Sequence, residues 1–280
     1  MITLDGKRIA SAIKSAIKSE LEGQPESKRP GLGTILVGDD PASHTYVAGK
    51  HRDCAEVGIR SLRVDLPASA SDREIHAAIE SFNRDPHCTG FIVQLPIPGR
   101  ESITFLEAID PEKDCDGLNP INLGHLLLDE HGIYPCTPLA ILTLLRSYEI
   151  ELEGVSVAIL GRGITVGRPL AMLLSSHHVN ASVSIVHSKT IDPERIIRQA
   201  DVVIAAVGKK WFLTPSMIKP GATVVDVGLT RVDGKLFGDV DPAVAEVAGA
   251  LSPVPGGVGP MTRAMLLDNI MQIHRRKMQR

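Results

Sequence analysis

Residues 155–174 read VSVAILGRGITVGRPLAMLL and join three patterns. The apolar, partly β-branched run Val155–Leu160 predicts a buried strand. The glycines that follow predict a tight turn, and the apolar segment after them predicts a helix. A strand, a glycine turn and a helix are how a dinucleotide-binding fold presents free N–H groups and a helix dipole to a pyrophosphate.

The glycine spacing is G-x-G-x-x-x-G, formed by Gly161, Gly163 and Gly167. This is one residue longer than the usual dinucleotide motif, so an ordinary strand-to-helix turn is the alternative. The next predicted strand, 181–186, ends in His-Ser-Lys-Thr and carries no acidic residue for a ribose hydroxyl. Together with Arg162 inside the turn, these groups favour a 2′-phosphate, and we predict NADP rather than NAD.

Composition excludes several classes of protein. The chain has 280 residues, a net charge of -3 with both signs interspersed, and 3% aromatic residues. A slightly acidic, aromatic-poor composition does not favour binding to nucleic acid or to an anionic membrane. The four cysteines have no disulfide or metal spacing and predict a reducing cytoplasm, and we expect no metal. We also expect neither a signal peptide nor a membrane span.

The rest of the chain alternates strand and helix patterns, which predicts parallel sheets with right-handed crossovers. Further predicted strands are 32–37, 62–66, 90–95, 201–207 and 222–227. Predicted helices are 9–21, 43–57 with Ser43 as its cap, 72–82 with Ser71 as its cap, 137–148, 191–199 and 263–278. The Pro/Gly-rich stretch 251–259 predicts a loop. We expect two α/β domains around a cleft, the second Rossmann-like, with a boundary near residues 137–138 and a last helix that returns to the first domain.

Three side chains are candidates for proton transfer. Tyr46 and Lys50 lie four residues apart on one predicted helix, so they share a face, and desolvation there would lower the pKa of the lysine. Gln94 lies near the carboxyl end of a predicted strand, where ligands of parallel sheets gather. The simpler interpretation is a solvated lysine, a half-buried tyrosine and a glutamine that bonds to the backbone.

Two loops are candidates for ligand contact. Asp116 could accept two hydrogen bonds from an amidine-like ring edge, although an Asx turn is the alternative and Asp114 is locally equivalent. Gly256 and Gly257 lie in the PVPGGVGPMT segment, where adjacent glycines allow a ligand to approach the backbone closely. A connecting loop is the alternative.

Five ordered motifs carry a family resemblance over nearly the whole chain. They are VGDDPASHTYVAGK (37–50), GFIVQLPIP (90–98), DPEKDCDGLNPINLG (110–124), GRGITVGRP (161–169) and PVPGGVGPMT (253–262). With these motifs the chain resembles the bifunctional methylenetetrahydrofolate dehydrogenase/cyclohydrolase family. The resemblance implies NADP-dependent oxidation of methylenetetrahydrofolate to methenyltetrahydrofolate, followed by hydrolysis to 10-formyltetrahydrofolate. It also implies a cytoplasmic homodimer that serves one-carbon metabolism and purine biosynthesis.

The resemblance also assigns roles to residues and domains. It implies a folate-binding catalytic domain of residues 1–137 plus 263–280 and an NADP-binding domain of residues 138–262. Catalytic roles are implied for Lys50, Tyr46 and Gln94, and substrate contacts for Asp116, Gly256 and Gly257. Cofactor contacts are implied for Gly161, Arg162, Gly163, Ser188 and Leu229.

The chain departs from the family pattern at two places. Many relatives carry serine where Gly163 stands, so a hydroxyl contact to phosphate is lost or replaced by a backbone N–H. Leu118 and Asn119 occupy positions that vary among relatives, and we expect them to tune the folate pocket.

Two other functions fit the architecture. An NADP-dependent shikimate-type or amino-acid dehydrogenase also joins a lysine-bearing α/β domain to a dinucleotide domain, although the Asp116 and 253–262 loops argue against it. An NADP-sensing binding module would leave Lys50 and Gln94 without a role.

Overall fold

The structure is a computed structural model that describes residues 1–279. Nine α-helices and eleven strands form the described chain. The helices are α1 (Gly6–Leu21), α2 (Pro41–Val57), α3 (Asp72–Arg84), α4 (Ile103–Glu107), α5 (Pro120–Leu127), α6 (Cys136–Ser147), α7 (Gly167–Ser175), α8 (Pro193–Gln199) and α9 (Val258–Gln279). The strands are β1 (Ile2–Thr3), β2 (Gly31–Val37), β3 (Arg60–Leu66), β4 (Gly90–Val93), β5 (Ser156–Leu160), β6 (Ser182–Val186), β7 (Val202–Ala205), β8 (Thr223–Asp226), β9 (Thr230–Val232), β10 (Lys235–Phe237) and β11 (Ala250–Leu251). No described helix is long and apolar enough to cross a membrane.

The described chain divides into two compact units. The three-stranded unit contains residues 11–125, 131–136 and 263–279. The six-stranded unit contains residues 1–10, 126–130 and 137–262.

The three-stranded unit is built on a parallel sheet of order β3-β2-β4. Every residue of the central strand β2 is buried, which explains its continuous apolar sequence. Helix α3 covers this sheet through Ile75, Ile79 and Phe82, which recur at helical spacing. Ser71 is its cap, as the sequence predicts, and the structure adds Glu74 to complete a capping box in which the two side chains bond to each other's backbone N–H.

The six-stranded unit contains a parallel sheet of order β1-β11-β8-β7-β5-β6, with a separate β9–β10 hairpin. Its central strands β7 and β8 are buried throughout and have no polar alternation, which is typical of a parallel sheet with both faces covered. The chain passes from β5 to β6 on one side and then to β7 on the other. This is the doubly wound, Rossmann-like arrangement that the sequence predicts.

Several predicted element ends are wrong. The cap of α2 is Asp40, whose carboxylate accepts the Ser43 N–H at 2.8 Å, and Pro41 takes the first helical position. Helix α8 begins two residues later than predicted, because Pro193 occupies its first turn. Helix α9 begins at Val258, five residues before the predicted start, and includes part of the predicted loop. Proline at position 260 is compatible with this, because the first turn of a helix has no N–H partner to lose.

Candidate active site

Lys50 lies on α2 with its side chain inside the three-stranded unit. Its Nζ donates to Gln94 Oε1 at 3.0 Å, and only 9% of the residue is exposed. Because the lysine is buried, its pKa is lowered by desolvation, while the nearby negative charge of Asp116 opposes that shift. A buried lysine with one polar partner is suited to releasing and taking up a proton.

Gln94 follows β4 directly, at the carboxyl edge of the sheet. Strand β4 is shorter than predicted and ends at Val93, so Gln94 is the first residue after the strand instead of part of it. Its backbone N–H donates to Ile35 O at 2.8 Å, and its side-chain Nε2 donates to Leu95 O at 2.8 Å. The amide is therefore held by backbone on one side while its oxygen accepts from Lys50.

Tyr46 lies one helical turn before Lys50 and is half-buried. Burial raises the pKa of its phenol, and the positive charge of Arg263 partly opposes the shift. Arg263 also pairs with Asp53, the two charges being 2.9 Å apart. The sequence predicts Arg263 as the start of the last helix but gives no sign of its contacts, because Tyr46 and Asp53 lie far from it along the chain.

Asp116 and Asp114 are clearly different in the structure. Asp114 is fully buried, and its carboxylate accepts the N–H groups of Gly117 at 3.0 Å and Asn119 at 2.7 Å, and the side chain of Asn122 at 3.0 Å. Asp116 is only half-buried and its charge acts on Lys50. Asp114 thus shapes the loop, whereas the Asp116 side chain is partly exposed and hydrogen-bonds with the Cys136 thiol.

The expectation that Leu118 and Asn119 tune a ligand pocket does not fit their surroundings. Leu118 belongs to the apolar core of the three-stranded unit. Asn119 is 2% exposed, and its amide donates to Leu106 O at 3.1 Å and Ile109 O at 2.9 Å. Both residues anchor the loop instead of facing a ligand.

The surroundings of Lys50 include thiols that sequence patterns did not identify. Cys136 is buried, and its Sγ donates to Cys115 O at 3.3 Å. Asn269 on α9 donates to the same Cys115 carbonyl at 3.0 Å. Burial raises the pKa of the Cys115 and Cys136 thiols well above the usual value, so both are neutral neighbours of Lys50.

The glycine turn after β5 lies in the six-stranded unit. Gly161 has φ +113°, and a Cβ there would collide with Ala206 O. A Cβ at Gly167 would collide with Gly161 O, so this end of the turn also requires glycine. Gly163 faces open space, since a Cβ there would meet nothing within 4 Å. Helix α7 follows, and no side chain caps its first turn. An open glycine backbone and an uncapped helix start fit a dinucleotide pyrophosphate.

The turn after β6 is held by its own side chains. The His187 N–H donates to Thr190 Oγ1 at 2.9 Å, and the Lys189 N–H donates to His187 Nδ1 at 3.2 Å. Ser188 is exposed at the tip, and Arg162 is exposed in the glycine turn. Hydroxyl and cationic groups with no acidic side chain in the turn fit a 2′-phosphate.

The remaining candidates also lie in the six-stranded unit. Leu229 follows β8 and is 40% exposed. Gly256 and Gly257 are buried in the turn before α9, where the Gly256 carbonyl accepts the Lys7 N–H at 3.0 Å. A Cβ at Gly6 would collide with Gly257 O, so these glycines allow close packing of backbone.

Family models match both parts of the chain. Residues 4–116 match the catalytic domain of tetrahydrofolate dehydrogenase/cyclohydrolase, and residues 135–278 match its NAD(P)-binding domain. The chain belongs to the tetrahydrofolate dehydrogenase/cyclohydrolase family. It is therefore a bifunctional enzyme with a folate substrate and a dinucleotide cofactor.

Solved structures agree over the full length. The bifunctional FolD enzyme methylenetetrahydrofolate dehydrogenase/cyclohydrolase of Campylobacter jejuni is 43% identical, with 99% of each chain covered and a TM-score of 0.94. The FolD enzyme of Trypanosoma brucei, solved with NADP and an inhibitor, is 38% identical, with 100% of this chain and 99% of that chain covered and a TM-score of 0.94. Shikimate 5-dehydrogenase of Thermus thermophilus is 14% identical with a TM-score of 0.53, over 88% of this chain and 99% of that chain, so it shares only the fold. The shikimate-type alternative is thus not supported beyond architecture.

Proposed function

We propose that this dehydrogenase/cyclohydrolase oxidises methylenetetrahydrofolate with NADP and hydrolyses the methenyl product to 10-formyltetrahydrofolate through Lys50. The observation that carries the assignment of Lys50 is its burial together with the 3.0 Å hydrogen bond to Gln94. The half-buried Asp116 supports the folate assignment, because a carboxylate can accept two hydrogen bonds from an aminopyrimidinone edge.

The cofactor is NADP. When bound, it supplies the oxidant that accepts a hydride from the one-carbon bridge. The backbone of Gly161 and Gly163 and the start of α7 would hold its pyrophosphate, while Arg162 and Ser188 would hold its 2′-phosphate. Leu229 would contact it through its backbone. At this stage the protein mainly binds and orients the reactants.

Lys50 acts in the hydrolytic step. Because burial lowers its pKa, the amine can be neutral closer to physiological pH than an exposed lysine. Water adds to the methenyl carbon, and Nζ takes the proton that the water releases. The carbon–nitrogen bond of the ring then breaks as the hydroxyl oxygen on that carbon becomes the formyl carbonyl. Nζ returns its proton to the leaving ring nitrogen, and the hydroxyl proton is released to solvent, so that one proton is released overall. Gln94 orients Nζ through its amide oxygen, and Tyr46 lies beside it on the same helical face.

The domain roles follow from these assignments. The proposed folate-binding domain comprises residues 1–137 and 263–280, and the proposed NADP-binding domain comprises residues 138–262. Within the first of these ranges, residues 1–10 and 126–130 pack with the six-stranded unit. Gly256 and Gly257 are assigned to the substrate loop, since their small size leaves backbone accessible at close range.

A homodimer that forms through the NADP-binding domain is the proposed assembly. Large apolar side chains are exposed around the β9–β10 hairpin, and an apolar surface of this kind is suited to a second copy of the chain. They are Trp211, Phe212, Leu229, Val232 and Leu236. Light scattering after size exclusion should give twice the 30.0 kDa chain mass, and a monomer mass at micromolar concentration would contradict the proposal.

A cytoplasmic location and a role in purine biosynthesis complete the proposal. All four cysteines are free and buried, which suits a reducing compartment. The 10-formyl product carries carbon at the oxidation level that formyl-transfer reactions of purine synthesis require.

A spectrophotometric assay tests the function. Methylenetetrahydrofolate and NADP are mixed with the protein, and NADPH and the methenyl product are followed separately. Appearance of NADPH without accumulation of methenyl product is the expected result, because hydrolysis consumes it. Parallel accumulation of both would contradict the hydrolytic role, and a lower Michaelis constant for NAD than for NADP would contradict the cofactor choice.

A further inference from the structure

The sheet of the six-stranded unit contains one topological switch point. Strand β5 lies between β6 and β7, and the chain visits these neighbours in turn on opposite sides. In open α/β sheets, ligands bind outside the carboxyl ends of the strands at such a point. The crevice between the ends of β5 and β7 is therefore the expected position of the dinucleotide.

Two backbone turns form the walls of this crevice. The first is the glycine turn after β5, and the second is Val207–Lys209 after β7. They lie side by side, because Ala206, which directly precedes the second turn, donates its N–H to Leu160 O at 2.9 Å, and a Cβ at Gly161 would collide with Ala206 O. Gly208 has φ +66°, and a Cβ there would meet nothing within 4 Å. The second turn thus presents its backbone to open space beside the first.

The buried carboxylate of Asp239 binds the backbone N–H groups of the second turn. Asp239 is fully buried and follows the β9–β10 hairpin. Its Oδ2 accepts the N–H groups of Val207 at 2.6 Å and Gly208 at 3.0 Å, and its Oδ1 accepts the Lys209 N–H at 2.7 Å. Three consecutive donors on one carboxylate leave the turn little freedom.

A second carboxylate, that of Asp226, holds the backbone around Asp239. Asp226, at the end of β8, accepts the N–H groups of Asp239 at 2.8 Å and Val240 at 3.1 Å. Two glycines make room for this pair, since a Cβ at Gly228 would collide with the Asp239 carboxylate and a Cβ at Gly238 with that of Asp226. The arrangement needs both acids and both glycines.

We propose that Asp239 is a positioning residue for the dinucleotide. It does not touch the cofactor, because its side chain is buried and both oxygens are occupied by backbone N–H groups. It acts through Val207–Lys209, whose fixed conformation forms the wall of the crevice opposite the glycine turn. This inference rests on the proposed cofactor site and adds a residue to it.

The test compares two carboxylates at opposite edges of the same sheet. Asp239→Asn replaces an acceptor oxygen with a donor and should release the turn. Asp201→Asn is the matched control, because Asp201 accepts the Ser156 N–H at 3.0 Å at the amino edge. Amide hydrogen exchange is measured over residues 205–212, and NADP affinity is measured by binding without folate.

The expected result is faster exchange at Val207–Lys209 in Asp239→Asn and an increase of about tenfold or more in the Kd for NADP. The KM for methylenetetrahydrofolate should stay within about twofold, since uniform loss of structure would move both constants. Asp201→Asn should leave the Kd for NADP unchanged. A folded Asp239→Asn protein that binds NADP as the wild type does would overturn the proposal.

Gly228→Ala keeps the test decisive if Asp239→Asn does not fold. The added methyl group displaces the Asp239 carboxylate without changing any charge, so the same loss of NADP affinity is expected. Unchanged affinity in this variant would also overturn the proposal. Failure of the cofactor assignment itself is distinguishable, because the wild-type protein would then not bind NADP.

Discussion

Lys50 shows how a local sequence signal depends on its surroundings. On the sequence alone, a solvated helix face is the simpler interpretation of a tyrosine and a lysine one turn apart. In the structure the amine is buried against an amide oxygen and neutral thiols, so its charged form is disfavoured. That environment, rather than the spacing, gives the lysine its chemistry.

Replacing Lys50 by methionine should abolish hydrolysis while affecting hydride transfer less. The variant keeps the volume of the side chain but cannot carry a proton, and general acid–base catalysis contributes about 10²–10⁴-fold to a rate. Separate rates of NADPH formation and methenyl disappearance measure the two steps. Lys14→Met is the control. Lys14 lies on α1 and pairs with Asp53 and Glu56, which are on the same helix α2 as Lys50. Full hydrolysis in Lys50→Met would exclude the proposed role.

Replacing Asp116 by alanine should weaken folate binding by about 1.5–3 kcal/mol, the usual contribution of a hydrogen bond to a charged group. The readout is the folate Kd by fluorescence titration, with NADP affinity measured in parallel. Glu107→Ala removes an exposed carboxylate from the preceding helix and should change neither constant. If folate affinity is the same in Asp116→Ala as in the wild type, Asp116 does not contact the substrate.

At the scale of elements, the turns after the strands carry the chemistry. Gln94 follows β4, the glycine turn follows β5 and Asp226 ends β8, so each lies at a carboxyl edge of a parallel sheet. The β-strands fix these positions through hydrogen-bonded registers. The loops can then vary in sequence while their ends stay in place.

Gly161→Ala should destabilise the six-stranded unit and impair NADP binding. An alanine at φ +113° costs about 1–2 kcal/mol, and its methyl group would collide with Ala206 O in addition. Gly154→Ala is the control at the other end of β5, because Gly154 also has positive φ, at +72°, but faces open space. We expect thermal unfolding to shift in both variants and NADP affinity to fall only in the first. Equal NADP affinity in both would show that the close approach at Gly161 is unimportant.

For the molecule as a whole, buried carboxylates make stability depend on pH. Burial raises the pKa of Asp226 from 3.8 to about 7, so its neutral form is favoured in the folded state. The stability this group contributes is complete below about pH 3.8 and is lost as the pH rises through about 7. Since one pKa unit corresponds to about 1.4 kcal/mol, the loss is a few kcal/mol at most.

Asp226→Asn should therefore flatten the decline of the unfolding midpoint between pH 4 and 8, as followed by urea denaturation. Asp201→Asn is the comparison variant, because the pKa of Asp201 is shifted in the opposite direction to that of Asp226. A hydrogen bond from Lys219 lowers the pKa of Asp201, so its contribution is present above about pH 3.8 and is lost only as the pH falls. An unchanged slope in Asp226→Asn would show that this carboxyl does not titrate in the folded protein over that range.

Much of the architecture could be predicted from the sequence, because local patterns have local causes. Alternating strand and helix patterns predicted parallel sheets, and the capping sequence at Ser71 predicted the start of α3. The glycine turn identified a dinucleotide fold, and the five motifs identified the family. The ends of some elements were less predictable. Asp40 caps α2 in place of the predicted Ser43, Pro193 occupies the first turn of α8, and α9 begins earlier than predicted, at Val258.

The amino-acid sequence by itself determined the fold class, the family and the candidate residues, since each depends on neighbours along the chain. Only the tertiary structure decided which of two adjacent acids, Asp114 or Asp116, is buried in the backbone of its loop. It also decided that Lys50 is desolvated and that Asp239 holds Val207–Lys209. The Lys50–Gln94 contact spans 44 positions, and the Asp239 contacts span 30 to 32. Burial and charge at such sites depend on packing that no local pattern encodes.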